Sequence, residues 1–551
     1  MMRILGAALG NCVHVAGIQA FLDMAKSYGH ETHFLGPAVP IDRLKEEIVR
    51  RAPDIVALSY RLMPENAEQL LKDLKAAIDA TPEMKKPRYL FGGTPPSAAV
   101  AKRSKIFADV FDGSEPQEVV VEAIQGPKTA GGTETPSSDL VERIARSFPV
   151  PLIRHHFGLP TIKDTVEGAK RLAESGALDI LSIAPDQNAQ ESFFRPAEMD
   201  PKLDGAGGVP LRKPDDLRSI MEATRTGNHP LLRCYSGTRD LQRWGEMLEE
   251  TIDIAWGAVP LMWYSELDGR SKRPLRDAIA ENQEAIRWYA QKGIPVEVNE
   301  SHQWALRRCG DTIELATAYI AAYNAKALGV RNYVAQFMFD LPRGVSPAMD
   351  IAKMLAKVEL VESLANGNFK IIRMIRTGLS SLSTSPNTAK GQLASSVYSA
   401  MAIRPHIVHV VGFSEADHAA KADEIIESCE IAKGAIGKAL AVIPRPESDP
   451  AVAARKAHLI AETKLLIDMI KRSGVTPDPL TSPDVLYAAV RDGLLDAPEL
   501  KGGGVAQGRL VTRLVDGACV AVDPSSGRTL TEKERLSVLS PSEEDLDLAE
   551  I

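Results

Sequence analysis

The chain has 551 residues, of which 44% are hydrophobic and 25% are charged, and its formal net charge at pH 7 is −8. These values exclude a disordered chain, a coiled coil and a small disulfide scaffold, and at roughly 100–200 residues per domain they predict two to four domains. The acidic excess argues against nucleic acid as a partner. No apolar run approaches the about 18 residues of a membrane span and no secretion signal opens the chain, so we expect a cytoplasmic protein without a membrane partner.

The five cysteines are scattered along the chain and never spaced as Cys-x-x-Cys. Such a pattern supports neither a disulfide framework nor a zinc site. We therefore expect all five to be reduced thiols.

Residues 1–125 alternate short strand-like runs with helical patterns. The strand-like runs cover 3–8, 31–35, 55–59, 88–91 and 106–111, and most of them are largely apolar. Apolar strands separated by helices are typical of a parallel sheet that helices cover on both faces. The sequence therefore predicts an α/β domain with a doubly wound, flavodoxin-like sheet over 1–125.

The segment that follows is rich in Gly, Pro, Ser and Thr and has no apolar period, which predicts a linker over 126–149. Eight strand–helix units then fill 150–445, and that number predicts a (β/α)8 TIM barrel. The strands are expected near 151–154, 179–184, 231–235, 252–263, 295–299, 332–337, 369–374 and 407–411. The poorest strand is 252–263, because it contains Gly257 and Pro260. Residues 446–551 are predicted to form a C-terminal extension.

The first chemical signal lies just after the first strand, where His14 precedes Gly17. Ser59 ends the third predicted strand and the pair Gly92 and Gly93 ends the fourth. In a doubly wound sheet, ligands bind at the carboxyl edge of the sheet. We therefore expect the imidazole of His14, the hydroxyl of Ser59 and the bare backbone of the glycine pair to meet there. The loop of His14 alone would suit a solvated histidine as well as a ligand, and the other two loops favour the ligand. A Gly-rich dinucleotide fingerprint is absent, so an NAD site is not favoured.

This segment resembles the cobalamin-binding domains of the glutamate mutase small subunit and of methylmalonyl-CoA mutase. The family pattern Asp-x-His-x-x-Gly, Ser-x-Leu and Gly-Gly stands here as Cys12-x-His14-x-x-Gly17, Ser59-x-Arg61 and Gly92-Gly93. The resemblance implies that His14 is the lower cobalt ligand, and hence the metal site, while the serine and the glycine pair line the pocket for the cofactor's tail. Cys12 replaces the aspartate that would accept the ring N–H of the histidine, and Arg61 replaces a leucine.

Residues 150–535 resemble the large, catalytic subunit of glutamate mutase. The resemblance rests on the collinear segments 158, 177–179, 237–240, 284–293, 414–416 and 461–464. It implies an adenosylcobalamin-dependent radical carbon-skeleton mutase or related isomerase, with cobalt in its cofactor and a small-molecule substrate inside the barrel. It also implies a homo-oligomer, a dimer formed through the barrel.

Substrate recognition departs most from the family. The three arginines that hold the carboxylates of glutamate correspond to His156, Gln190 and Tyr235. We therefore expect glutamate to be a poor substrate and a less acidic amino acid, hydroxy acid or acyl compound to be a better one. Arg154 and Arg233 lie two residues away on the same strands, where a shift in register would place them in the site.

Four further residues complete the candidate site. Glu415 falls where the family has a glutamate that contacts the adenosyl ribose, and a carboxylate at a helix N-terminus is an equal alternative. Asp186 matches a family aspartate near the barrel mouth. Trp263 and Tyr264 lie near the substrate-binding aromatics of the family, although packing is the commoner role of such side chains. The candidate catalytic residues are thus Glu415, His156, Asp186 and Tyr235, and the candidate substrate contacts are Arg154, Gln190, Arg233, Trp263 and Tyr264.

A second class of function stays open, that of a corrinoid protein that is not an isomerase: a methyl carrier or methyltransferase, or a cobalamin-responsive regulator. A methyltransferase barrel often carries zinc ligands, and the sequence shows no Cys/His cluster. A regulator would usually carry a DNA-binding or signalling module, which the acidic charge and the barrel argue against. The isomerase is therefore favoured.

Overall fold

The structure is a computed structural model that describes residues 1–115, 117–125, 136–235, 237–441 and 446–539. The chain divides into two compact units, Met1–Glu134 and Thr135–Ile551. Residues 126–135, the first part of the predicted linker, lie outside the described residues. None of the described helices is both long enough and apolar enough to cross a bilayer.

The first unit contains a five-stranded parallel sheet in the order β2-β1-β3-β4-β5. This confirms the predicted doubly wound domain. Alternate residues of the strands feed two separate cores, because Leu5 and Val56 pack in one cluster while Ile4 and Ile55 pack in another. The strands and helices are β1 (Arg3–Ala8), α1 (Ala16–Ser27), β2 (Glu31–Phe34), α2 (Ile41–Arg51), β3 (Ile55–Tyr60), α3 (Pro64–Ala80), β4 (Arg88–Gly93), α4 (Pro95–Ser104), β5 (Asp109–Phe111) and α5 (Gln117–Gln125).

The second unit contains eight parallel strands in the order β8-β7-β6-β13-β12-β11-β10-β9, and each lies where the sequence predicts one. Strands β8 and β9 close the ring only loosely, through the N–H of Ala255 donating to the carbonyl of Leu232 at 2.8 Å. The predicted barrel is therefore confirmed as a nearly closed one. Its strands are β6 (Leu152–Phe157), β7 (Ile180–Ile183), β8 (Leu231–Cys234), β9 (Gly257–Val259), β10 (Val296–Val298), β11 (Asn332–Phe339), β12 (Lys370–Thr377) and β13 (Ile407–His409).

Helices precede, separate and follow these strands. They are α6 (Leu140–Ser147), α7 (Ile162–Ser175), α8 (Gln187–Ser192), α9 (Pro214–Ala223), α10 (Leu241–Ile252), α11 (Leu275–Lys292), α12 (Ser301–Leu306), α13 (Asp311–Ala327), α14 (Pro347–Glu362), α15 (Pro386–Ala400) and α16 (Ala422–Ala441), followed by α17 (Pro450–Arg472), α18 (Pro483–Arg491) and α19 (Glu532–Leu539). Strands β14 (Thr512–Val515) and β15 (Ala518–Ala521) form an antiparallel hairpin.

Helix α6 lies inside the segment that the sequence assigns to the linker. Its Leu140 and Ile144 pack in one cluster with Leu152, Ile180 and Leu231, which stand at the amino-terminal ends of three barrel strands. The apolar face of α6 therefore covers that end of the barrel. The linker prediction is wrong over this helix, because an amphipathic stretch of only eight residues is easily hidden among Ser, Pro and charged neighbours.

The C-terminal extension belongs to the same compact unit as the barrel. Helix α17 packs along α13 and α14, where Leu459 joins Leu315 and Leu360 in a small apolar cluster. Beside this cluster, Arg455 donates to Asp311 at 2.8 Å. The extension thus buries the outer surface of two barrel helices.

Candidate functional site

A cavity of about 450 Å³ lies at the carboxyl edge of the first unit's sheet. Helix α1 and the segments at the ends of β3, β4 and β5 enclose it, and Ile18, Phe21, Met24, Leu90 and Phe91 make much of its wall apolar. Six of the seven residues predicted to bind the cofactor line this cavity: His14, Gly17, Ser59, Arg61, Gly92 and Gly93. The motifs that lie far apart in the sequence therefore meet at one place.

The lining leaves one hydroxyl without a partner and two stretches of backbone uncovered. Ser59 is 5% exposed, and its Oγ has no hydrogen-bond partner. A Cβ added to Gly17 or Gly92 would meet no atom within 4 Å, so it would project into open space. At Gly93 the added Cβ would lie 2.7 Å from the carbonyl oxygen of Tyr60, so this glycine is needed for packing instead. Gly17 and Gly92 thus keep volume free for a ligand.

His14 is exposed at the mouth of this cavity, and Cys12 lies buried behind it. The Sγ of Cys12 is 3.9 Å from the Nδ1 of His14 and accepts the backbone N–H of Arg61 at 3.4 Å. Sulfur is a weak hydrogen-bond acceptor, so the thiol holds the imidazole less firmly than a carboxylate would. Cys12 therefore stands at the predicted position without lining the cavity.

Within the barrel, Arg154 and Arg233 point inward but are sealed from solvent. They are 1% and 0% exposed, and Glu297 between them is 1% exposed. The Nη2 of Arg233 donates to Glu297 Oε2 at 3.0 Å, and the Nη1 of Arg154 lies 3.8 Å from the same oxygen. Burial alone would raise the pKa of Glu297, but the charges of Arg233 and then Arg154 lower it. These arginines form an internal charge layer and are out of reach of a substrate.

Trp256 and Ser182 complete this internal charge layer. Trp256 donates its Nε1–H to Glu297 Oε2 at 2.7 Å, and Arg154 donates its Nε–H to Ser182 Oγ at 2.7 Å. Burial, and next the charge of Arg233, lower the pKa of Arg154 to about 9. The observed partners of Arg154 and Arg233 are other buried side chains of the barrel, while the Nε and Nη1 of Arg233 have no hydrogen-bond partner. Substrate contact by these arginines stays a prediction, and their burial argues against it.

Above this layer, His156, Tyr235 and Gln190 remain partly exposed. The rings of His156 and Tyr235 stack with centroids 4.6 Å apart, and the hydroxyl of Tyr235 lies 3.0 Å from His156 Nε2. Arg154 Nη2 is 3.1 Å from that nitrogen too. Burial and then the charge of Arg154 lower the pKa of His156, so this imidazole is neutral. Because Nε2 faces two donors, the proton belongs on Nδ1, which has no partner.

Arg376 stands at the same mouth, and the sequence interpretation did not select it as a site residue. It lies two residues after Met374 on β12. Met374 packs inside the barrel, in the same cluster as Leu152 and Ile180 at the amino-terminal ends of the strands, so both side chains point inward. In the sheet Arg376 pairs with His409, whose ring lies 4.4 Å from that of His156. Its inward parity at the carboxyl end of a barrel strand was the signal that could have identified it.

Glu415 does not occupy the helix terminus that was its alternative role. Helix α16 begins only at Ala422, and Glu415 lies in the turn before it. Its Oε1 accepts the N–H of Gly412 at 2.8 Å and lies 3.1 Å from His155 Nε2. Burial would raise the pKa of Glu415, but the contact with His155 lowers it, so the carboxylate is ionised. The ribose contact stays a prediction.

Asp186 has a different role from the one that the sequence suggested. It caps α8 by accepting the N–H of Ala189 at 2.8 Å, and it accepts the N–H of Gly205 at 2.9 Å. Both of its oxygens also accept from Arg212. Each oxygen thus has two donors, which leaves the predicted catalytic role of Asp186 unsupported. Gln190, on the same helix, donates from Nε2 to the carbonyl of Pro185 at 2.9 Å.

The aromatic pair after β9 packs against the protein itself. Trp263 is 0% exposed and meets the Trp304 ring edge-on at 5.0 Å, with the guanidinium of Arg307 above it at 4.2 Å. Tyr264 lies under Arg270 at 3.8 Å. Trp263 therefore cannot touch a substrate in this structure, which corrects its assignment as a substrate contact. Tyr264 is partly exposed and stays a candidate.

Side chains suited to bind a bare metal ion are not gathered together. Across the described residues, no three His, Cys, Asp or Glu side chains are grouped as metal ligands. All five cysteines are buried, and each is free. His14 alone remains as the predicted metal ligand.

Comparison with known proteins identifies the first unit. Residues 2–121 match the family described as the B12 binding domain. No curated protein sequence matches the chain significantly.

Three solved structures are similar to parts of the chain. One is a novel cobalamin-binding protein from Desulfitobacterium hafniense DCB-2, with 23% identity over 22% of this chain and a TM-score of 0.20. The other two are OxsB, a cobalamin-dependent S-adenosylmethionine radical enzyme, in its apo form and with aqua-cobalamin bound. They are 12% and 11% identical over 80% of this chain, each with a TM-score of 0.18. The chain spans 56% of the length of each structure, and TM-scores this low carry no functional argument.

The residues of the cavity fit a corrinoid whose tail is inserted into the domain. Gly17 and Gly92 leave the space, Ser59 offers an unpaired hydroxyl deep in it, and His14 presents an imidazole at its mouth. A bulky and largely apolar ligand with a few polar groups needs this combination. The first unit is thus a B12-binding domain with an open cavity at the expected edge.

Proposed function

We propose that this protein is an adenosylcobalamin-dependent radical isomerase related to glutamate mutase, acting on a substrate other than glutamate. The observation that carries the proposal is the cavity of the first unit, where His14, Ser59 and Gly92 converge within a B12-binding domain. A nearly closed (β/α)8 barrel with a polar mouth follows in the same chain. Active sites of such barrels lie at the carboxyl ends of their strands.

The first unit binds and orients the cofactor. His14 would hold the cobalt of the cofactor, Ser59 would hydrogen-bond its tail, and Gly17 and Gly92 would leave the tail its volume. Adenosylcobalamin, when bound, supplies a carbon radical that removes a hydrogen atom from the substrate. Since Cys12 replaces the carboxylate behind His14, we expect His14 to bind cobalt more weakly than it would with an aspartate behind it.

The barrel binds the substrate and keeps water away from it. Neutral His156 and Tyr235 offer hydrogen bonds where the family has arginines, while Arg154 and Arg233 stay in the sealed layer below. A charge-assisted hydrogen bond contributes about 1.5–3 kcal/mol, so a dicarboxylate loses several kcal/mol of binding here. Glutamate is therefore a poor substrate, and a less acidic amino acid, hydroxy acid or acyl compound is preferred. We also propose that the protein acts as a cytoplasmic homodimer formed through the barrel.

Nitrogen hyperfine spectroscopy tests the role of His14. The protein is labelled with nitrogen-15, loaded with cobalamin and reduced to the cob(II)alamin state, and hyperfine coupling to nitrogen-15 of the protein is expected. The coupling should disappear in His14→Ala and persist in His33→Ala, which removes a histidine of β2 in the same domain. Coupling that survives in His14→Ala would remove the proposed ligand.

A second measurement separates the isomerase from the other corrinoid functions. With adenosylcobalamin and a substrate, freeze-quenched samples should show an organic radical coupled to cob(II)alamin. Conversion of added methyl donors to methylcobalamin without a radical signal would instead support a methyl carrier or methyltransferase. Efficient conversion of glutamate to 3-methylaspartate would contradict the proposed change of substrate.

A further inference from the structure

The charges inside the barrel fall into two layers with different access. Arg154, Arg233 and Glu297 are sealed and bound to one another. Arg376 lies nearer the carboxyl ends of the strands and is partly exposed. Its Nε is buried without a hydrogen-bond partner, and among the described residues no carboxylate pairs with it. A guanidinium in this condition has its donors available to a ligand.

Neutral groups with unused hydrogen-bonding atoms surround Arg376. His409, its direct neighbour in the sheet, is 2% exposed and has an unpartnered Nδ1. His156 also has an unpartnered Nδ1, and its ring touches that of His409. Buried polar atoms are normally satisfied, so unused atoms on residues that neighbour a solvent-accessible cation support a ligand site there. Glu415, an ionised carboxylate whose pKa the charge of Arg376 helps to lower, contacts His155 and accepts the N–H of Gly412.

We propose that Arg376 binds one carboxylate group of the substrate, with His409 and His156 beside it, and that the substrate is therefore a monocarboxylate. This inference rests on the proposed function and deepens it by naming the substrate class. One accessible guanidinium matches one carboxylate with two parallel hydrogen bonds. A second carboxylate would not reach Arg154 or Arg233, because both are sealed from solvent beside Glu297, even though the Nε and Nη1 of Arg233 have no partner.

Ligand-detected NMR on the full chain, with and without aquacobalamin, tests the assignment. The probes are butyrate, its neutral amide butyramide, and the dicarboxylate glutarate. Butyrate should bind, butyramide at least about tenfold more weakly, and glutarate no more tightly than butyrate. Turnover is not needed, so a failure here is separate from a failure of the radical chemistry.

Two variants on the same strand assign the binding to one residue. Arg376→Gln should weaken butyrate at least about tenfold, and Arg376→Lys should restore part of the affinity. The control is Arg373→Gln, because Arg373 bonds Glu362 and the carbonyl of Arg404 and should leave butyrate binding unchanged. Failure of butyrate to bind, unchanged binding in Arg376→Gln, equal loss in Arg373→Gln, or glutarate binding tenfold tighter than butyrate would each overturn the proposal.

Discussion

Polar groups in the two units are arranged in opposite ways. In the B12-binding domain, Ser59 and the bare backbone of Gly17 and Gly92 face open volume. In the barrel, Arg154 and Arg233 face inward on strands beside Glu297, and no solvent reaches them. The Nε and Nη1 of Arg233 also lack a partner, but they are sealed inside the barrel. An inward position in a barrel is therefore not evidence of ligand contact, whereas an unpaired group beside an empty cavity is. Four substitutions would break or sharpen this contrast.

The largest effect is expected at the sealed layer. Glu297→Gln leaves Arg154 and Arg233 without their buried counter-charge, and removing one partner of such a pair costs about 3–5 kcal/mol of unfolding free energy. Urea denaturation of the full chain measures the loss. Glu284→Gln is the control, because Glu284 pairs with Arg287 at the surface, where an ion pair contributes about 0–1 kcal/mol. Equal losses in the two variants would show that the pair is not sealed.

A second buried carboxylate should make stability depend on pH. Glu300 is 0% exposed, and burial raises its pKa to about 7 even though Leu261, Met262 and Trp304 donate to it. The folded state then holds a proton that the unfolded state releases above its lower pKa. The contribution of Glu300 is thus full below about pH 4.5 and falls by about 3 kcal/mol as pH rises to about 7.

Glu300→Gln should flatten this slope of unfolding free energy between about pH 5 and 7. The measurement is urea denaturation at several pH values for the wild type and the variant. Asp350, whose pKa burial also raises to about 7, should leave a residual slope in the variant. Identical slopes in the two proteins would contradict the raised pKa of Glu300.

In the B12-binding domain, filling the cavity should weaken cobalamin binding without destabilising the fold. Gly92→Leu would place a side chain in the volume that the tail needs, so we expect the affinity for aquacobalamin to fall about 100-fold with unfolding free energy nearly unchanged. Spectrophotometric titration measures it. Gly434→Leu is the control, because it adds the same side chain at an exposed position of α16 with open space around it. A cavity that tolerates Gly92→Leu would not be the tail site.

The smallest effect is expected at Arg61. Its side chain lines the cavity, and within the described part of the chain its guanidinium has no ion-pair partner. The tail of cobalamin carries one phosphodiester anion, so Arg61→Leu should weaken cobalamin about tenfold. Cobinamide, which lacks the phosphodiester and base, should bind both proteins equally. Equal weakening of both corrinoids would mean that Arg61 contacts the corrin ring instead.

Local sequence pattern alone predicted both architectures. The apolar run of β3 gave a central buried strand, and eight repeats of strand and helix gave the barrel, because each element depends on periodicities within a few residues. The motifs around His14, Ser59 and Gly92 predicted that these residues meet at one place, and they line one cavity, because the carboxyl ends of parallel strands meet at one edge. Even the weak strand containing Gly257 formed, although only as Gly257–Val259.

How deeply each inward-facing side chain lies within the barrel was decided only by the tertiary structure. Arg154 and Arg376 both point inward, yet one is sealed and the other partly exposed, and Trp263 lies under Arg307 instead of facing the mouth. Helix α6 covers the amino-terminal end, although its sequence predicted a linker. The stagger between neighbouring strands sets the layer of the barrel in which each side chain lies. That stagger depends on pairing between distant parts of the chain, so it cannot be predicted from the sequence of one strand.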